Sequence, residues 1–187
     1  MKATIQNVAA LALMCVVMSP AELLGQDNLW TGGIGGEWSD NTWNFGTPPV
    51  PAFDARGVIG SDEGSASPIG EVNVTMDIRA ILPSSTVVLG DGPGNMGTLN
   101  ISSNGGLAVV SGAGSGHFEV GLDGGTGVLN LSGILEIEGR LSSATEANAN
   151  SAINLSGSAN LTADSGFIDH TFVVDGSNMI GYFFCCC

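Results

Sequence analysis

The sequence predicts an all-β chain that folds as a parallel β-solenoid, and three observations support this fold class. A four-residue phrase returns four times, at intervals of 27, 30 and 24 residues, and such periods are typical of solenoids and repeat arrays. Within each phrase apolar and polar residues alternate, as they do in a β-strand with one buried face. Glycine supplies 29 of the 187 residues and suits tight corners between stacked coils. The folded domain is therefore predicted to contain strands and Gly-rich turns, without helix.

The repeated phrase is the strongest of these observations. Its four copies are Val72-Asn73-Val74-Thr75, Leu99-Asn100-Ile101-Ser102, Leu129-Asn130-Leu131-Ser132 and Ile153-Asn154-Leu155-Ser156. A leucine also recurs a few residues downstream, at Leu107, Leu135 and Leu161. Units this small cannot bury an apolar face alone, so neighbouring units must stack and share one core. We expect about three strands in each unit.

Residues 1–26 have the features of a secretory signal peptide. Lys2 precedes the apolar run from Val8 to Met18, and Ser19-Pro20-Ala21 offers small residues to a signal peptidase, which could also cleave near Gln26. The run is short for a membrane-spanning helix, and no later stretch approaches the roughly 18 apolar residues that a span needs. An uncleaved anchor is the weaker alternative. We expect a secreted or cell-surface protein, with helix only in the leader and no membrane span in the mature chain.

The rest of the chain divides into three segments. Residues 27–70 are rich in tryptophan and glycine and are predicted to form an N-terminal cap. Residues 71–176 hold the solenoid repeats, and residues 177–187 form an atypical tail that ends in three cysteines. The fourth cysteine, Cys15, lies in the leader, so a spaced disulfide framework is absent and core packing must hold the fold. A truncated or misread gene end would explain the tail.

The charge balance limits the classes of partner. The chain has 18 acidic and 4 basic residues, a net charge of −14, and the segment after the leader keeps only Arg56, Arg79 and Arg140 as basic residues. Nucleic acids and anionic lipids are bound by clustered lysine and arginine, so we expect neither as a partner. Extracellular polysaccharide or cell-surface components are the partners that the balance leaves open, together with divalent cations.

Two units resemble the passenger repeats of bacterial autotransporter-like surface proteins, an exported group rich in glycine. They are residues 89–102, LGDGPGNMGTLNIS, and residues 120–133, VGLDGGTGVLNLSG, and the segment from Trp30 to Trp43 is similar to the lead-in of many such exported proteins. The resemblance implies a right-handed parallel β-helix. It does not imply self-transport or anchoring, because neither a C-terminal outer-membrane barrel nor a sorting motif is recognisable.

Trp30, Trp38 and Trp43 allow two interpretations. Aromatic faces on the rim of a cap can stack against sugar rings, which makes the three tryptophans a candidate carbohydrate-binding site. An open solenoid end also exposes strand edges and apolar core, so bulky aromatic side chains can instead plug that end. The plug is the favoured interpretation.

Asp91 and Asp123 precede glycines in matching turns of successive units. Carboxylate and carbonyl oxygens at such turns could coordinate calcium, so the two aspartates are candidate metal ligands. Asp before Gly is also a common turn former whose side chain bonds its own backbone, and this structural interpretation is favoured. No other cofactor is expected.

Asn73, Asn100, Asn130 and Asn154 fall at one repeat position. In stacked parallel coils such asparagines can form a ladder of hydrogen-bonded amides. Each also begins an N-glycosylation sequon, but repetition of one strand phrase generates these sequons without any glycan. We expect the column to be structural.

Motifs for catalysis are weak. Gly92 to Gly97 matches GxGxxG, but the predicted element after it is a strand, where a dinucleotide site requires a helix. His117 and His170 are the only histidines, and they are not at ligand spacing. Glu136 and Glu138 share the outward face of one strand, which paired-carboxylate chemistry could tolerate, although a solvated strand face is the simpler interpretation.

The sequence therefore favours a non-catalytic exported protein with a structural or adhesive role at the cell surface or in the extracellular space. The alternative is a carbohydrate-binding or carbohydrate-active β-helix protein, such as a glycosidase or a lyase. A lyase is disfavoured because Arg140 is the only basic side chain within the main repeats, with Arg79 just before them. A third possibility is a module that assembles when calcium bridges its acidic coils.

Overall fold

Parallel β-strands make up the fold. The computed structural model describes residues 27–49, 56–81, 83–110, 116–143, 148–168 and 171–175. This part of the chain contains no helix, and hence none that could cross a membrane. The helix expected in the leader and the tail 177–187 lie outside it. Its strands are β1 (Asn28–Leu29), β2 (Gly36–Glu37), β3 (Arg56–Ser61), β4 (Ile69–Val74), β5 (Thr86–Asp91), β6 (Met96–Ile101), β7 (Gly106–Val109), β8 (Gly116–Leu122), β9 (Thr126–Leu131), β10 (Ile134–Ser143), β11 (Asn150–Ser156), β12 (Asn160–Ile168) and β13 (Thr171–Asp175).

Two parallel sheets run along the coil. Sheet 1 has the order β1-β3-β5-β8-β10-β12, and sheet 2 has the order β2-β4-β6-β9-β11-β13. The first half of β10 pairs with β7 on one side and with the first half of β12 on the other, and these strands form a third face. The second half of β10 pairs with β8 and with the second half of β12, and so continues sheet 1. The chain passes from face to face and returns one turn further along. The result is a β-solenoid of about four turns, which confirms the predicted fold class.

The repeated phrase stacks in register at the centre of sheet 2. Val72 pairs with Leu99, Leu99 with Leu129, and Leu129 with Ile153. All four side chains have an exposed fraction of 0% and form one interior column. The recurring leucines form a second buried column on the third face, with Leu135 paired to both Leu107 and Leu161. Each such side chain contributes about 1.5–3 kcal/mol through burial, so the shared core provides most of the stabilisation.

The unequal repeat intervals are absorbed at the corners. From Val109 to Gly116 the chain takes seven residue steps, whereas the matching passage in the next turn, from Ile137 to Gly139, takes two. Gly139 has a φ of 142°, and the pairing of β10 with β12 shifts register at this point. Insertions at a corner leave the strands above and below it aligned, so units of 30 and 24 residues share one core.

Glycine is required at the corner between sheet 1 and sheet 2. Gly60, Gly90 and Gly121 are stacked one above the other, with φ values of 77°, 69° and 76°. A Cβ atom on Gly90 would lie 2.1 Å from the carbonyl oxygen of Thr126. Both the left-handed backbone and the close approach of the next coil therefore exclude a side chain here.

The solenoid register extends upstream of Glu71, where the repeats were expected to start. β3 pairs with β5 and places Val58 beside Val88, so a full turn is present from Arg56 onward. The short strands β1 and β2 continue the two sheets by one partial turn. Strands β1 and β3 of the segment predicted to form the N-terminal cap are thus part of sheet 1.

Candidate functional site

The asparagine column is the most regular polar feature of the described residues. The Nδ2 atom of Asn100 donates to Oδ1 of Asn73 at 3.0 Å, Asn130 donates to Asn100 at 2.8 Å, and Asn154 donates to Asn130 at 2.8 Å. The strands that carry these residues are paired in register, so the amides lie directly above one another. The four sequence-predicted asparagines are therefore brought together as one hydrogen-bonded ladder.

The ladder leaves part of the hydrogen-bonding capacity of its amides unused. A primary amide has two N–H donors and an oxygen with two lone pairs, and a ladder bond on each side uses one donor and one lone pair. Asn130 thus keeps one donor and one lone pair that the ladder bonds do not use. Asn100 directs its second donor to Oε1 of Glu71 at 2.8 Å. The column is half-buried and its amides are held in one orientation by their neighbours.

Small side chains flank the asparagine column on both sides. A hydroxyl column follows it along the strands, and in this column the Oγ atoms of Ser132 and Ser156 lie 2.7 Å apart. We call the outward surface of sheet 2 formed by these three columns the amide face. Its residues are the asparagines Asn73, Asn100, Asn130 and Asn154, the hydroxyl column Thr75, Ser102, Ser132 and Ser156, and on the other side the column Glu71, Thr98, Val128 and Ala152.

One end of the amide face is acidic. Glu37 lies beside Asn73 on the neighbouring strand, and its Oε2 accepts a hydrogen bond of 3.0 Å from Oγ1 of Thr75. Glu71 lies on the same strand as Asn73 and binds the amide of Asn100. None of the residues of the amide face is basic. The surface is therefore a neutral lattice of amides and hydroxyls with two carboxylates at its first coil.

The three tryptophans lie inside the first coil. Trp30, Trp38 and Trp43 have exposed fractions of 0%, 1% and 2%. Trp43 makes edge contacts with both of the others, at ring centroid distances of 5.3 Å and 5.1 Å. No face of these rings is open to a sugar, so the arrangement is that of a plug, the second of the two roles that the sequence allowed.

Hydrogen bonds fix two of the indoles in the plug. Nε1 of Trp30 donates to the carbonyl of Gly33 at 2.9 Å, and Nε1 of Trp43 donates to the carbonyl of Trp38 at 3.0 Å. The indole rings join the same apolar cluster as Ile59 and Val72 of the next coil. The plug thus closes this end of the core with aromatic side chains, two of whose polar atoms are satisfied locally.

One of the two candidate calcium ligands, Asp91, lies in an acidic cluster around Arg56. Arg56 binds Asp27 through two hydrogen bonds, of 2.7 Å and 2.5 Å, and its Nη2 lies 3.7 Å from Oδ2 of Asp91. The Asp27 carboxylate raises the pKa of Arg56 above its ordinary value. Asp123 adopts a left-handed turn conformation with a φ of 48°.

The pKa of the Asp91 carboxyl is raised in the folded protein, and burial is the main cause. Loss of water raises the pKa of Asp91, the guanidinium of Arg56 opposes the rise, and the negative charges of Asp123, Glu63 and Asp27 add to it. Among the described residues, however, no three acidic, histidine or cysteine side chains converge as metal ligands require. Asp123 fits a turn through its left-handed backbone, whereas the carboxylate of Asp91 lies at the end of β5 near Arg56.

A groove on the third face holds the carboxylate pair that the sequence singled out. Glu136, Glu138 and Asp164 line a groove of about 370 Å³. Arg79, which follows β4, forms an ion pair with Glu136, and it also binds Asp77 at 2.9 Å and 2.7 Å. Arg79 lowers the pKa of Asp77 to about 2. One member of the carboxylate pair is thus already neutralised by an arginine.

The GxGxxG segment forms a turn between two strands. Gly92 and Gly94 have φ values of 92° and 82°, and Asn95 closes the turn through a 2.5 Å hydrogen bond to the carbonyl of Asp91. β6 follows directly, so the helix N-terminus that a dinucleotide site needs is not formed here. His117 lies half-buried on β8 beside Arg140, and His170 lies outside the described residues.

Sequence reasoning missed two long-range ion pairs and the breadth of the amide face. The partners Asp27 and Arg56, and Arg79 and Glu136, are separated by 29 and 57 residues, and no local pattern announces such pairs. The hydroxyl column could have been found, because Thr75, Ser102, Ser132 and Ser156 close the four copies of the repeated phrase. The chain matches no protein-family model, no curated protein and no solved structure. The autotransporter-like resemblance therefore rests on the repeat motifs alone.

Proposed function

We propose that this chain is a non-catalytic exported protein with an adhesive role at the cell surface or in the extracellular matrix, and that the amide face is its contact surface. The observation that carries the proposal is the in-register stacking of Asn73, Asn100, Asn130 and Asn154 beside a column of hydroxyls. This arrangement repeats the same pair of polar groups on every coil.

A repeated surface suits adhesion better than it suits the recognition of one small molecule. Each coil offers one weak set of contacts, and several sets that engage together raise the effective affinity without any deep pocket. Parallel strands lie about 4.8 Å apart, so the four coils present their polar groups at a constant interval. The export leader expected from residues 1–26 is consistent with this role.

The negative net charge of the chain favours an extracellular partner that is uncharged over one that is a polyanion. A net charge of −14 repels nucleic acid, anionic lipid and acidic polymers, and the amide face adds two carboxylates at its first coil. Neutral polymers and the uncharged components of a bacterial cell envelope are therefore the surfaces to which we expect this protein to bind.

The proposal is tested with the full chain by co-sedimentation on insoluble polysaccharide, on fibrillar protein matrix and on bacterial envelope fragments. We expect saturable binding to at least one of these surfaces and no release of soluble sugars during prolonged incubation. An unrelated acidic protein of similar size serves as the control for trapping. Absence of binding to all three surfaces, or steady release of reducing ends, would overturn the adhesive, non-catalytic role.

The carbohydrate-active alternative has its own observation, the carboxylates that line the third-face groove. Glu138 and Asp164 border this groove and are not ion-paired within the described residues, whereas Glu136 is held by Arg79. A glycosidase would need one of these carboxyls as acid and another as base or nucleophile. Release of reducing ends that disappears in Glu138→Gln would favour the enzyme over the adhesive module.

A further inference from the structure

We propose that the amide face binds extended chains of neutral polysaccharide, and that a bound chain runs along the asparagine column. This inference rests on the proposed adhesive function and adds the class of ligand, the site and the direction of binding. It assigns the sugar contacts to sheet 2, on a different part of the molecule from the tryptophans.

The first argument is preorganisation of the amides. A free asparagine side chain rotates, and fixing it on a ligand costs conformational entropy. On the amide face the ladder has already fixed Asn130 between Asn100 and Asn154 through bonds of 2.8 Å on both sides. The ladder uses neither the second donor of Asn130 nor its second lone pair, so both are held in a fixed amide before any ligand arrives.

The second argument is chemical matching. Sugar hydroxyls both donate and accept hydrogen bonds, as the outward amide groups do. A polysaccharide repeats these hydroxyls along its length, and the solenoid repeats its amides about every 4.8 Å. The hydroxyls of Ser132 and Ser156, 2.7 Å apart, widen the polar strip on one side. A linear chain of sugars can thus engage several coils at once.

The third argument is shape. Val128 and Ala152 border the asparagine column on the side away from the serines, and both are short, half-buried side chains. They leave the column accessible and provide an apolar strip for the C–H groups of sugar rings. A long side chain at either position would stand beside the amides and block them.

The fourth argument is charge. The residues of the amide face include no lysine and no arginine, and Glu37 and Glu71 lie at its first coil. Acidic polysaccharides would therefore be repelled rather than neutralised. Binding of an uncharged polymer should also depend little on ionic strength, because screening acts on interactions between charges.

The test measures binding of the full chain to microcrystalline cellulose and to chitin, with soluble polygalacturonate as the acidic comparison. Val128→Arg places a long side chain beside the amide column, and Thr162→Arg makes the same change of charge on the third face, where Thr162 is exposed. We expect Val128→Arg to weaken binding to the neutral polymer at least tenfold and Thr162→Arg to leave it unchanged. Ala152→Gln, an uncharged block, should also weaken it.

The outcomes separate this inference from the proposed function. A cooperative thermal unfolding transition verifies that each variant is folded. If Val128→Arg does not fold, Ala152→Gln serves alone as the variant that blocks the amide column. Binding to neutral polysaccharide that neither block weakens would overturn the inference, as would a preference for polygalacturonate. Adhesion to protein matrix or envelope fragments without any binding to cellulose or chitin would also overturn the inference, yet it would leave the adhesive function standing.

Discussion

Two glycines with similar backbones differ in what surrounds them. Gly90 and Gly94 both have a positive φ, 69° and 82°. A Cβ atom on Gly90 would lie 2.1 Å from the carbonyl oxygen of Thr126, whereas one on Gly94 would have no neighbour within 4 Å. The pair therefore separates the cost of a left-handed backbone from the cost of contact between coils.

We predict that Gly90→Ala destabilises the protein far more than Gly94→Ala. The left-handed backbone costs a residue with a side chain about 1–2 kcal/mol at either site. The clash at Gly90 displaces the next coil and adds about 1–3 kcal/mol. Urea unfolding should show these two levels of loss in the free energy of unfolding. Equal losses would mean that the corner relaxes without cost.

The Asp91 carboxyl predicts a pH dependence with a definite sign. Its pKa is raised in the folded protein, so the native state binds a proton more readily than the unfolded chain does. Above this raised pKa the ionised carboxylate opposes folding, and the opposition disappears as the pH falls through it. Asp77 has the opposite behaviour, because Arg79 lowers its pKa to about 2.

We predict that Asp91→Asn raises the urea midpoint at pH 7.5 and that this gain shrinks as the pH falls towards 4. Asp77→Asn should instead lower the midpoint at pH 7.5, with the difference fading as the pH falls from the ordinary aspartate range towards 2. Urea titrations at several pH values check both signs. A lower midpoint for Asp91→Asn at pH 7.5 would show that attraction to Arg56 outweighs burial.

At the scale of elements, the strands of sheet 2 are joined by side-chain hydrogen bonds as well as by backbone hydrogen bonds. Asn130 makes ladder bonds to both of its neighbours, whereas Asn154 makes one, to Asn130. The same amides begin the sequons, and ladder bonds occupy the nitrogen to which a glycan would attach. A glycan on Asn130 would replace one of its two N–H groups, so the glycan and the ladder bond together would use both hydrogens of this nitrogen.

We predict that Asn130→Ala lowers the free energy of unfolding by about 2 kcal/mol and Asn154→Ala by about 1 kcal/mol, since each ladder bond contributes about 1 kcal/mol. Chemical denaturation of the two variants and of the double variant provides the measurement. The double variant should lose less than the sum, because the two residues share a bond. Strict additivity would contradict a ladder that couples neighbouring coils.

The aromatic plug of the first coil allows a spectroscopic prediction. All three indoles are buried, and Trp43 packs edge-on against Trp30 and Trp38. We expect blue-shifted tryptophan emission that resists quenching by acrylamide and does not change when soluble oligosaccharides are added. The urea-unfolded chain, with its indoles in water, is the control. A sugar-dependent change in emission would restore the tryptophans as a carbohydrate site.

The repeat elements were predictable from the sequence, and their partners outside the repeat were not. The columns of Leu99 and Asn100 follow from one phrase, because a period of two sets the face and a period near 27 sets the stacking. The start of the coil at Arg56 was missed because β3 lacks the phrase. The Arg79–Glu136 ion pair was also missed, because it depends on how three coils align. Burial of the tryptophans followed from the need to close an apolar end.

At the scale of the molecule, negative charge is the main unfavourable term that solvent conditions can change. The chain carries 18 acidic residues against 4 basic ones, and the described residues contain no cluster of three metal-ligating side chains. Self-repulsion of this kind destabilises a compact state and is screened by salt.

We predict that the thermal unfolding midpoint rises with sodium chloride concentration up to about the point where the Debye length falls to 3 Å, near 1 M. Calcium should raise the midpoint no more than magnesium does at the same ionic strength. Differential scanning calorimetry in the three salts gives the comparison. A rise of several degrees that is specific to millimolar calcium would indicate a bound ion and would support Asp91 and Asp123 as ligands.

The stacking of unequal units in one register determines what the chain gains from its length. A turn consumes 24 to 30 residues, which as an extended chain would reach roughly 80 to 100 Å, yet it advances the coil by only about 4.8 Å. A fold with so little reach per residue is a poor spacer. Its length instead increases the surface area of the sheets. Duplicating one unit adds one strand to each sheet and leaves the existing strands unchanged. The number of repeat units therefore sets the area of the outer sheet surface, and with it the strength of binding to another surface. The residues of the existing units need not change.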